Sequence, residues 1–326
     1  MAFNQQATIK HQEFIHPAIH FESLIVPIRQ ITIVGTGLIG GSFGLALKRR
    51  RFSGRIVGCD RASVLERARK CGAIDDGSSD LASATQGSQV VMLATPVLAI
   101  EDLIDKLGPA LPARTLLTDV GSTKAAIVER ALRVFGKNAG SRFLAGHPMA
   151  GKEQSGVEYA DADLFQGATW FFTPLPGQNL HEGLFAEFAG WVDEVGARVA
   201  MMPPDEHDRV CAWISHLPQM VSTALAAALV DEFGEDAPLV PAGGRALQEM
   251  TRISASPYSM WRDIAISNKK NLEDALFKME QRLAHIRDNL GTRQLMDEFE
   301  RAHQLRKTPP LRKSPPRRHG DTGKKC

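Results

Sequence analysis

Three short stretches of the sequence carry chemically active residue types directly after apolar runs. They are ATP at residues 94–96, DVGSTK at 119–124 and GHPMAG at 146–151. In the third stretch His147 precedes Pro148, and a following proline disfavours the helical backbone region and favours an extended one. An imidazole titrates near neutral pH and suits acid–base chemistry. The sequence therefore predicts a histidine held at a strand end with little freedom.

Short apolar strands alternating with helices hold these three stretches. We predict strands in RQITIV, GRIVGCD, SQVVMLATP, RTLLTDV, SRFLAG, ATWFFTP and ARVAMM. This alternation is typical of an α/β fold with a Rossmann-like, doubly wound parallel sheet. Because reactive groups in such sheets gather at the carboxyl ends of the strands, the three stretches should open onto one crevice.

A glycine-rich turn follows the first predicted strand and precedes an amphipathic helix. Its residues are Gly35, Thr36, Gly37, Leu38, Ile39 and Gly40, in the pattern G-x-G-x-x-G. Such a turn lets a pyrophosphate approach the backbone at a helix N-terminus, and Asp60 after the second strand can bind ribose hydroxyls. The sequence predicts NAD binding, with Thr95, Pro96 and Ser122 at neighbouring strand ends. Arg61 beside Asp60 leaves NADP open, since an arginine could contact a 2′-phosphate.

The pattern of elements divides the chain into four segments. We predict an N-terminal extension over residues 1–28, a dinucleotide-binding domain over 29–202 and an all-helical domain over 203–305. Residues 306–326 carry eight Lys or Arg and one Asp, a net charge of +7 that leaves −5 for residues 1–305. Four prolines and no apolar periodicity predict that this basic tail is disordered.

Composition excludes several classes of protein. The sequence is 43% hydrophobic and 23% charged, as in ordinary globular proteins, and its mildly acidic body does not favour a nucleic-acid partner. The most apolar run, residues 217–230, is interpreted as a buried helix rather than a membrane span. The four cysteines lack C-x-x-C spacing, which predicts neither a metal site nor disulfides and favours the cytoplasm.

Several motifs together resemble one enzyme family. They are G-x-G-x-x-G-x-S, D-x-G-S-x-K, GHPMAGKEQSG, SHLP, and TRI with MWRDI downstream, spread over residues 31–268. In this order they are similar to those of the prephenate/arogenate dehydrogenases of tyrosine biosynthesis. The resemblance implies a helical dimerisation domain and a homodimer through residues 203–305, with a small-molecule substrate.

The resemblance also implies a reaction and a set of residues. A cyclohexadienol would lose hydride to the nicotinamide and CO₂ from its ring, so prephenate would give 4-hydroxyphenylpyruvate with NAD as cofactor. His147 corresponds to the catalytic histidine, and Ser122 would orient the hydroxyl or the nicotinamide. The implied substrate-binding residues are Arg252, His216, Glu153, Ser155 and Gln219.

The sequence departs from the family pattern near the expected substrate side chain. Members often carry a histidine where Gln219 stands, and many have a basic–acidic pair where this chain has Gln248 and Glu249. The choice between prephenate and arogenate therefore stays open. Two other readings compete: a β-hydroxyacid dehydrogenase, which would carry a catalytic lysine on the helical domain, and an NAD-binding scaffold without activity.

Overall fold

An eight-stranded sheet forms the first part of the computed structural model, which describes residues 27–234 and 240–307. The strands are β1 (Gln30–Val34), β2 (Arg55–Cys59), β3 (Asp76–Ser78), β4 (Val90–Leu93), β5 (Leu116–Asp119), β6 (Phe143–Pro148), β7 (Thr169–Thr173) and β8 (Arg198–Met201). Their order in the sheet is β3-β2-β1-β4-β5-β6-β7-β8. Sequence analysis missed β3, whose three polar residues lie at the sheet edge and carry no apolar signal.

Helices follow most strands and predominate in the described chain after β8. They are α1 (Leu38–Arg49), α2 (Ala62–Lys70), α3 (Leu81–Thr85), α4 (Val97–Leu107), α5 (Ala125–Phe135), α6 (Ala139–Arg142), α7 (Gly183–Glu194), α8 (Pro204–Cys211), α9 (Leu217–Phe233), α10 (Gly244–Thr251), α11 (Tyr258–Ser267), α12 (Lys269–Asp288) and α13 (Arg293–Lys307). A π-helical turn, Ala212–His216, joins α8 to α9, and a 3₁₀ turn, Arg252–Ala255, follows α10.

Apolar side chains cover both faces of the sheet, which confirms the predicted doubly wound α/β class. On one face Ile31 and Ile33 of β1 belong to a core that includes Phe43 of α1 and residues of α2 and α7. On the other face Val34 belongs to a second core with Ile104 of α4 and residues of α5. Strands that are apolar on both faces need a helix layer on each side, and this is the arrangement found.

The predicted parallel sheet is confirmed, with one antiparallel pair near an edge. Strands β1 to β6 are parallel to one another, but β7 pairs with β6 in the antiparallel sense, with His147 opposite Phe171. Strand β8 is parallel to β7. A parallel neighbour usually requires a helical crossover, and the segment from Met149 to Ala168 contains only a 3₁₀ turn, Val157–Tyr159. The chain therefore doubles back along β6.

The helical part of the chain buries little of its own surface. In α9 only Leu217, Gln219 and Ser222 are buried, so the expectation of a buried helix at residues 217–230 is wrong for the single chain. Among the described residues one continuous helical stretch, Pro204–Phe233, is long and apolar enough to cross a membrane. Length and composition are weak evidence for a membrane span.

The last strand ends at Met201 and α8 begins at Pro204. At the other end of the helical part, α13 extends to Lys307, two residues into the segment predicted as a tail. The remainder of that tail, and the predicted extension up to residue 26, lie outside the described residues.

Candidate active site

The glycine turn between β1 and α1 has the geometry of a dinucleotide cradle. Gly35 has φ +95°, and a Cβ on Gly40 would lie 2.1 Å from the Gly35 carbonyl oxygen, so both positions need glycine. A Cβ on Gly37 would meet no atom within 4 Å. Gly37 therefore borders open space at the N-terminus of α1, where backbone N–H groups and the helix dipole attract a phosphate.

Asp60 lies directly after β2, with its carboxylate fixed against the turn. The backbone N–H of Thr36 donates to its Oδ2 at 2.8 Å, and the N–H of Arg61 donates to its Oδ1 at 2.8 Å. Thr95, directly beyond β4 and Ala94, has a buried hydroxyl with no hydrogen-bond partner among the described residues. Pro96 begins α4 as its N-cap. These groups fit a bound dinucleotide, which would satisfy the Thr95 hydroxyl.

The DVGSTK stretch holds a buried ion pair. Lys124 Nζ contacts Asp119 Oδ2, and both side chains are fully buried. The backbone N–H groups of Gly121 and Gly146 also donate to the Asp119 carboxylate, at 2.8 and 3.2 Å. Ser122 is half-buried, and its hydroxyl makes no hydrogen bond with any described residue. Lys124 therefore anchors the stretch, while the Ser122 hydroxyl has no partner in the described part of the chain.

His147 lies in β6 as predicted and contacts a second histidine. Its Nδ1 atom is 2.9 Å from Nε2 of His207 in α8, and Nδ1 of His207 is 2.8 Å from Asp208 Oδ1. His147 is 7% exposed, and its Nε2 atom has no hydrogen-bond partner among the described residues. One nitrogen of His147 is thus held by protein and the other is available to a ligand.

Burial keeps these imidazoles uncharged. It lowers the pKa of His147 well below the ordinary 6.5, and the neighbouring His207 and Lys124 lower it further. Burial also lowers the pKa of His207, although the bond to Asp208 opposes that effect. At neutral pH His147 is therefore a neutral base.

His216 in the π-helical turn has the same character. Asn268 Nδ2 donates to the Asp208 carbonyl oxygen at 2.7 Å, and it lies 3.1 Å from His216 Nδ1, which must therefore accept. The neutral ring then carries its hydrogen on Nε2, which is buried with no partner among the described residues. Burial lowers the pKa of His216 to about 4. An unpaired buried donor is costly unless a ligand accepts from it.

Two of the remaining residues predicted to bind the substrate contact each other. Arg252 and Glu153 form an ion pair in which the Arg252 side chain is 65% exposed. Ser155 is exposed and makes no hydrogen bond within the described chain. Gln219 is buried, and its Nε2 donates to the Ile253 carbonyl oxygen at 2.9 Å, so it ties α9 to the turn that carries Arg252.

A group of potential metal ligands surrounds the same histidine pair. His147, His207 and Cys211 are buried, and their ligand atoms lie within 4.8 Å of one another. Imidazole nitrogen and thiolate sulfur are ligands that Zn²⁺ prefers. Burial raises the pKa of the Cys211 thiol to about 12, however, and the histidine nitrogens are already joined by a hydrogen bond. The absence of a metal site stays a prediction.

Sequence reasoning did not identify His207, Asp208 or Asn268. The stretch DEHD begins α8, and acidic residues in the first turn of a helix are ordinary surface features. The only signal was the spacing of His207 and Cys211, four residues apart and hence on one helix face.

Two family models match the sequence. One, described as prephenate dehydrogenase, nucleotide-binding domain, matches residues 43–201. The other, described as prephenate dehydrogenase, dimerization domain, matches residues 203–305. Together they span most of the described chain.

Full-length relatives and solved structures agree with these matches. Prephenate dehydrogenase of Bacillus subtilis is 34% identical over 292 residues, covering 86% of this chain and 76% of the relative. Prephenate dehydrogenase from Aquifex aeolicus, in complex with hydroxyphenyl propionate and NAD+, has 32% identity and a TM-score of 0.74, covering 86% of this chain and 96% of that one. Synechocystis arogenate dehydrogenase has 29% identity and a TM-score of 0.66, covering 85% and 97%. The family predicted from the motifs is confirmed: the chain belongs to the prephenate dehydrogenase family.

Proposed function

We propose that this enzyme catalyses the NAD-dependent oxidative decarboxylation of prephenate to 4-hydroxyphenylpyruvate and CO₂ in tyrosine biosynthesis. One observation carries the proposal: His147 is a buried, neutral imidazole whose Nδ1 is held by His207 and whose Nε2 has no protein partner in the described chain. A hydroxyl-bearing substrate at the carboxyl ends of β5 and β6 would meet a base with its lone pair available.

The proposed reaction needs only prephenate and NAD⁺ as reactants. NAD⁺ supplies the acceptor for the hydride that leaves the hydroxyl-bearing ring carbon. His147 Nε2 accepts the hydroxyl proton as that carbon is oxidised, and Ser122 orients the hydroxyl. The bond between the ring and its carboxylate then breaks, its electron pair makes the ring aromatic, and CO₂ leaves. The proton returns from His147 to the phenolate oxygen, so the products are 4-hydroxyphenylpyruvate, CO₂ and NADH.

The substrate is a dianion, and we assign its carboxylates to the cationic and donor groups of the helical part. Arg252 offers a planar fork that suits a carboxylate, and each charged hydrogen bond contributes about 1.5–3 kcal/mol. The buried Nε2–H of His216 is a donor without an acceptor among the described residues. Glu153, which is paired with Arg252, would have to release it for a substrate carboxylate, and the exposed Ser155 would offer a further hydroxyl donor.

The glycine turn supports NAD as the cofactor. Gly35 and Gly40 allow the turn to close tightly, Gly37 borders the open space that a pyrophosphate would fill, and the Asp60 carboxylate favours ribose hydroxyls over a 2′-phosphate by charge. The Aquifex aeolicus relative was solved with NAD+. Arg61 is exposed beside Asp60, so NADP remains the alternative cofactor.

Arogenate is the second candidate substrate. Gln219 stands where relatives often carry a histidine, and its amide nitrogen is committed to the Ile253 carbonyl oxygen rather than to a ligand. Purified enzyme assayed with prephenate and with arogenate, each with NAD⁺ and NADP⁺, tests both. We expect the highest kcat/KM for prephenate with NAD⁺. A higher value for arogenate would select the alternative, and no nicotinamide reduction with either substrate would refute the function.

We further propose a cytoplasmic homodimer. The match of residues 203–305 to a dimerization domain and the exposed apolar side chains of the helical part support the dimer. Cys59, Cys71 and Cys211 are free thiols, which suits a reducing compartment.

A further inference from the structure

Asp208 links the two parts of the chain through hydrogen bonds that fix its role as an acceptor. The backbone N–H of Lys124 donates to its Oδ1 at 2.7 Å, and the N–H of Ala125 donates to its Oδ2 at 2.9 Å. Both amides lie at the N-terminus of α5, and backbone N–H groups can only donate. The helix dipole at that end also favours an anion. Asp208 is therefore held as a carboxylate, 2% exposed.

This carboxylate determines which nitrogen of His207 carries the hydrogen. Nδ1 of His207 lies 2.8 Å from Asp208 Oδ1, so Nδ1–H donates to the carboxylate. His207 is fully buried, and burial lowers its pKa, so the ring is neutral at pH 7. A neutral imidazole has one donor and one acceptor nitrogen, and His207 Nε2 is consequently an acceptor.

His147 has its tautomer fixed in turn by the acceptor nitrogen of His207. Its Nδ1 lies 2.9 Å from His207 Nε2, and an acceptor on one side requires a donor on the other. His147 must therefore carry its hydrogen on Nδ1, which leaves the lone pair on Nε2. Nε2 is the nitrogen without a protein partner in the described chain.

One neighbour could compete for His207. Cys211 Sγ lies 3.4 Å from His207 Nε2 and 3.9 Å from His147 Nδ1. Burial keeps the Cys211 thiol protonated, and an S–H group is a weak donor compared with a ring N–H. Cys211 is therefore dispensable for the tautomer, which makes it a matched control.

We propose that His207 and Asp208 act as positioning residues that hold His147 in the Nδ1–H tautomer and so direct its basic Nε2 toward the substrate hydroxyl. This rests on the proposed function, in which His147 accepts the hydroxyl proton. A purely structural role would be different: Asp208 would cap α5, His207 would fill space, and the tautomer of His147 would be free.

The direct test is nitrogen NMR of the full-length enzyme labelled with ¹⁵N-histidine, with His147→Gln used to assign its signals. We expect His147 in the wild type to show a protonated Nδ1 and an unprotonated Nε2 at neutral pH. A protonated Nε2 would overturn the proposal. This measurement does not depend on turnover, so its result stands apart from whether prephenate is the substrate.

A kinetic test uses three variants assayed with prephenate and NAD⁺. His207→Phe keeps an aromatic ring but removes the acceptor, and we expect kcat to fall at least about tenfold with KM nearly unchanged, because only proton transfer suffers. His207→Gln restores an acceptor and should recover part of the loss. Cys211→Ala alters the same buried cluster and should keep kcat within about twofold.

An unchanged kcat in folded His207→Phe would refute the positioning role. If His207→Phe does not fold, the NMR spectrum of the wild type decides. Failure of the wild type to oxidise prephenate would instead refute the proposed function and leave the tautomer result intact.

Discussion

Burial decides the protonation state of His147, the base of the proposed reaction. The pKa of His147 is lowered first by burial and then by its neighbours His207, Lys124 and His216, of which Lys124 is the permanent cation. His147 acts as a base only when neutral, so activity is lost as pH falls through its lowered pKa. Asp208, which is bonded to His207, and Asp119, which is paired with Lys124, act in the opposite direction and raise the pKa of His207.

The lowered pKa of His147 predicts the pH profile of the enzyme. We expect kcat/KM for prephenate, which reports groups of the free enzyme, to stay level from pH 8 through pH 6.5, the ordinary pKa of histidine, and to fall only below it. Initial rates in overlapping buffers test this. A decline that is already complete at pH 6.5 would mean that His147 is not desolvated as described.

Lys124 contributes to the site through stability as well as charge. Removing it in Lys124→Met would leave the fully buried Asp119 carboxylate with only two backbone donors. Breaking a buried pair costs about 3–5 kcal/mol, so the free energy of unfolding should fall by that amount. Urea denaturation at fixed protein concentration measures it.

An exposed ion pair provides the control for that measurement. Lys152 pairs with Asp161 at 3.1 Å, with side chains 32% and 37% exposed, and Lys152→Met should cost no more than about 1 kcal/mol. Equal losses in the two variants would contradict the buried-pair account. The double variant Asp119→Asn, Lys124→Met should recover part of the loss, because no buried charge is left unpaired.

Sequence reasoning at this scale succeeded where a residue belongs to a contiguous motif. His147 was predicted in an extended backbone from Pro148, and the structure has it in β6. His207 and Asp208 could not be predicted, because their role depends on contacts with residues 60 and 84 positions away. Nothing in a local pattern separates such a pair from a solvated helix start.

At the scale of elements, two glycine substitutions in the turn between β1 and α1 distinguish an effect on protein stability from an effect on NAD⁺ binding. A Cβ on Gly40 would lie 2.1 Å from the Gly35 carbonyl oxygen and 2.7 Å from Ile33 Cγ2, so Gly40→Ala should force the turn open. We expect a loss of about 1–3 kcal/mol in stability and at least about tenfold in NAD⁺ affinity. Thermal unfolding and calorimetric titration measure these quantities.

Gly37→Ala is the matched variant in the same turn. Its Cβ would meet no atom within 4 Å, so Gly37→Ala lacks the backbone clash of Gly40→Ala. Stability should therefore fall less than in Gly40→Ala while NAD⁺ affinity falls, because the methyl group occupies the space left for the pyrophosphate. Unaltered NAD⁺ binding in Gly37→Ala would show that the cofactor lies elsewhere.

The arrangement of elements was predictable except for the direction of β7, which depends on the type of connection from β6. Apolar runs and helix periodicity identified seven of the eight strands. The antiparallel β7 was missed because direction follows from whether a helix crosses between strands, and the segment after Pro148 contains none long enough. That absence was itself a usable signal in the sequence.

At the scale of the whole molecule, the helical part is incomplete as a single chain. Phe233 in α9, Phe277 in α12 and Phe299 in α13 are 50%, 59% and 61% exposed. Exposed apolar surface of this extent marks an interface in soluble proteins. We therefore expect light scattering at micromolar protein concentration to give twice the mass of the chain.

A charge placed on that surface should dissociate the dimer. Phe277→Glu lies in the helical part and should shift the molecule toward the monomer, since a buried unpaired carboxylate is costly. Leu132→Glu changes a similarly exposed apolar residue, 44% exposed in α5, and should leave the mass unchanged. A monomeric wild type, or equal dissociation by both variants, would contradict an interface in the helical part.

The central claim, that His147 takes the proton of the substrate hydroxyl, is tested most directly by His147→Asn with two measurements on the same preparation. The account predicts a fall in kcat of about 10²–10⁴-fold for prephenate oxidation, with the dissociation constant for NAD⁺ unchanged. Retention of most of the wild-type kcat by a folded, NAD⁺-binding His147→Asn enzyme would contradict it.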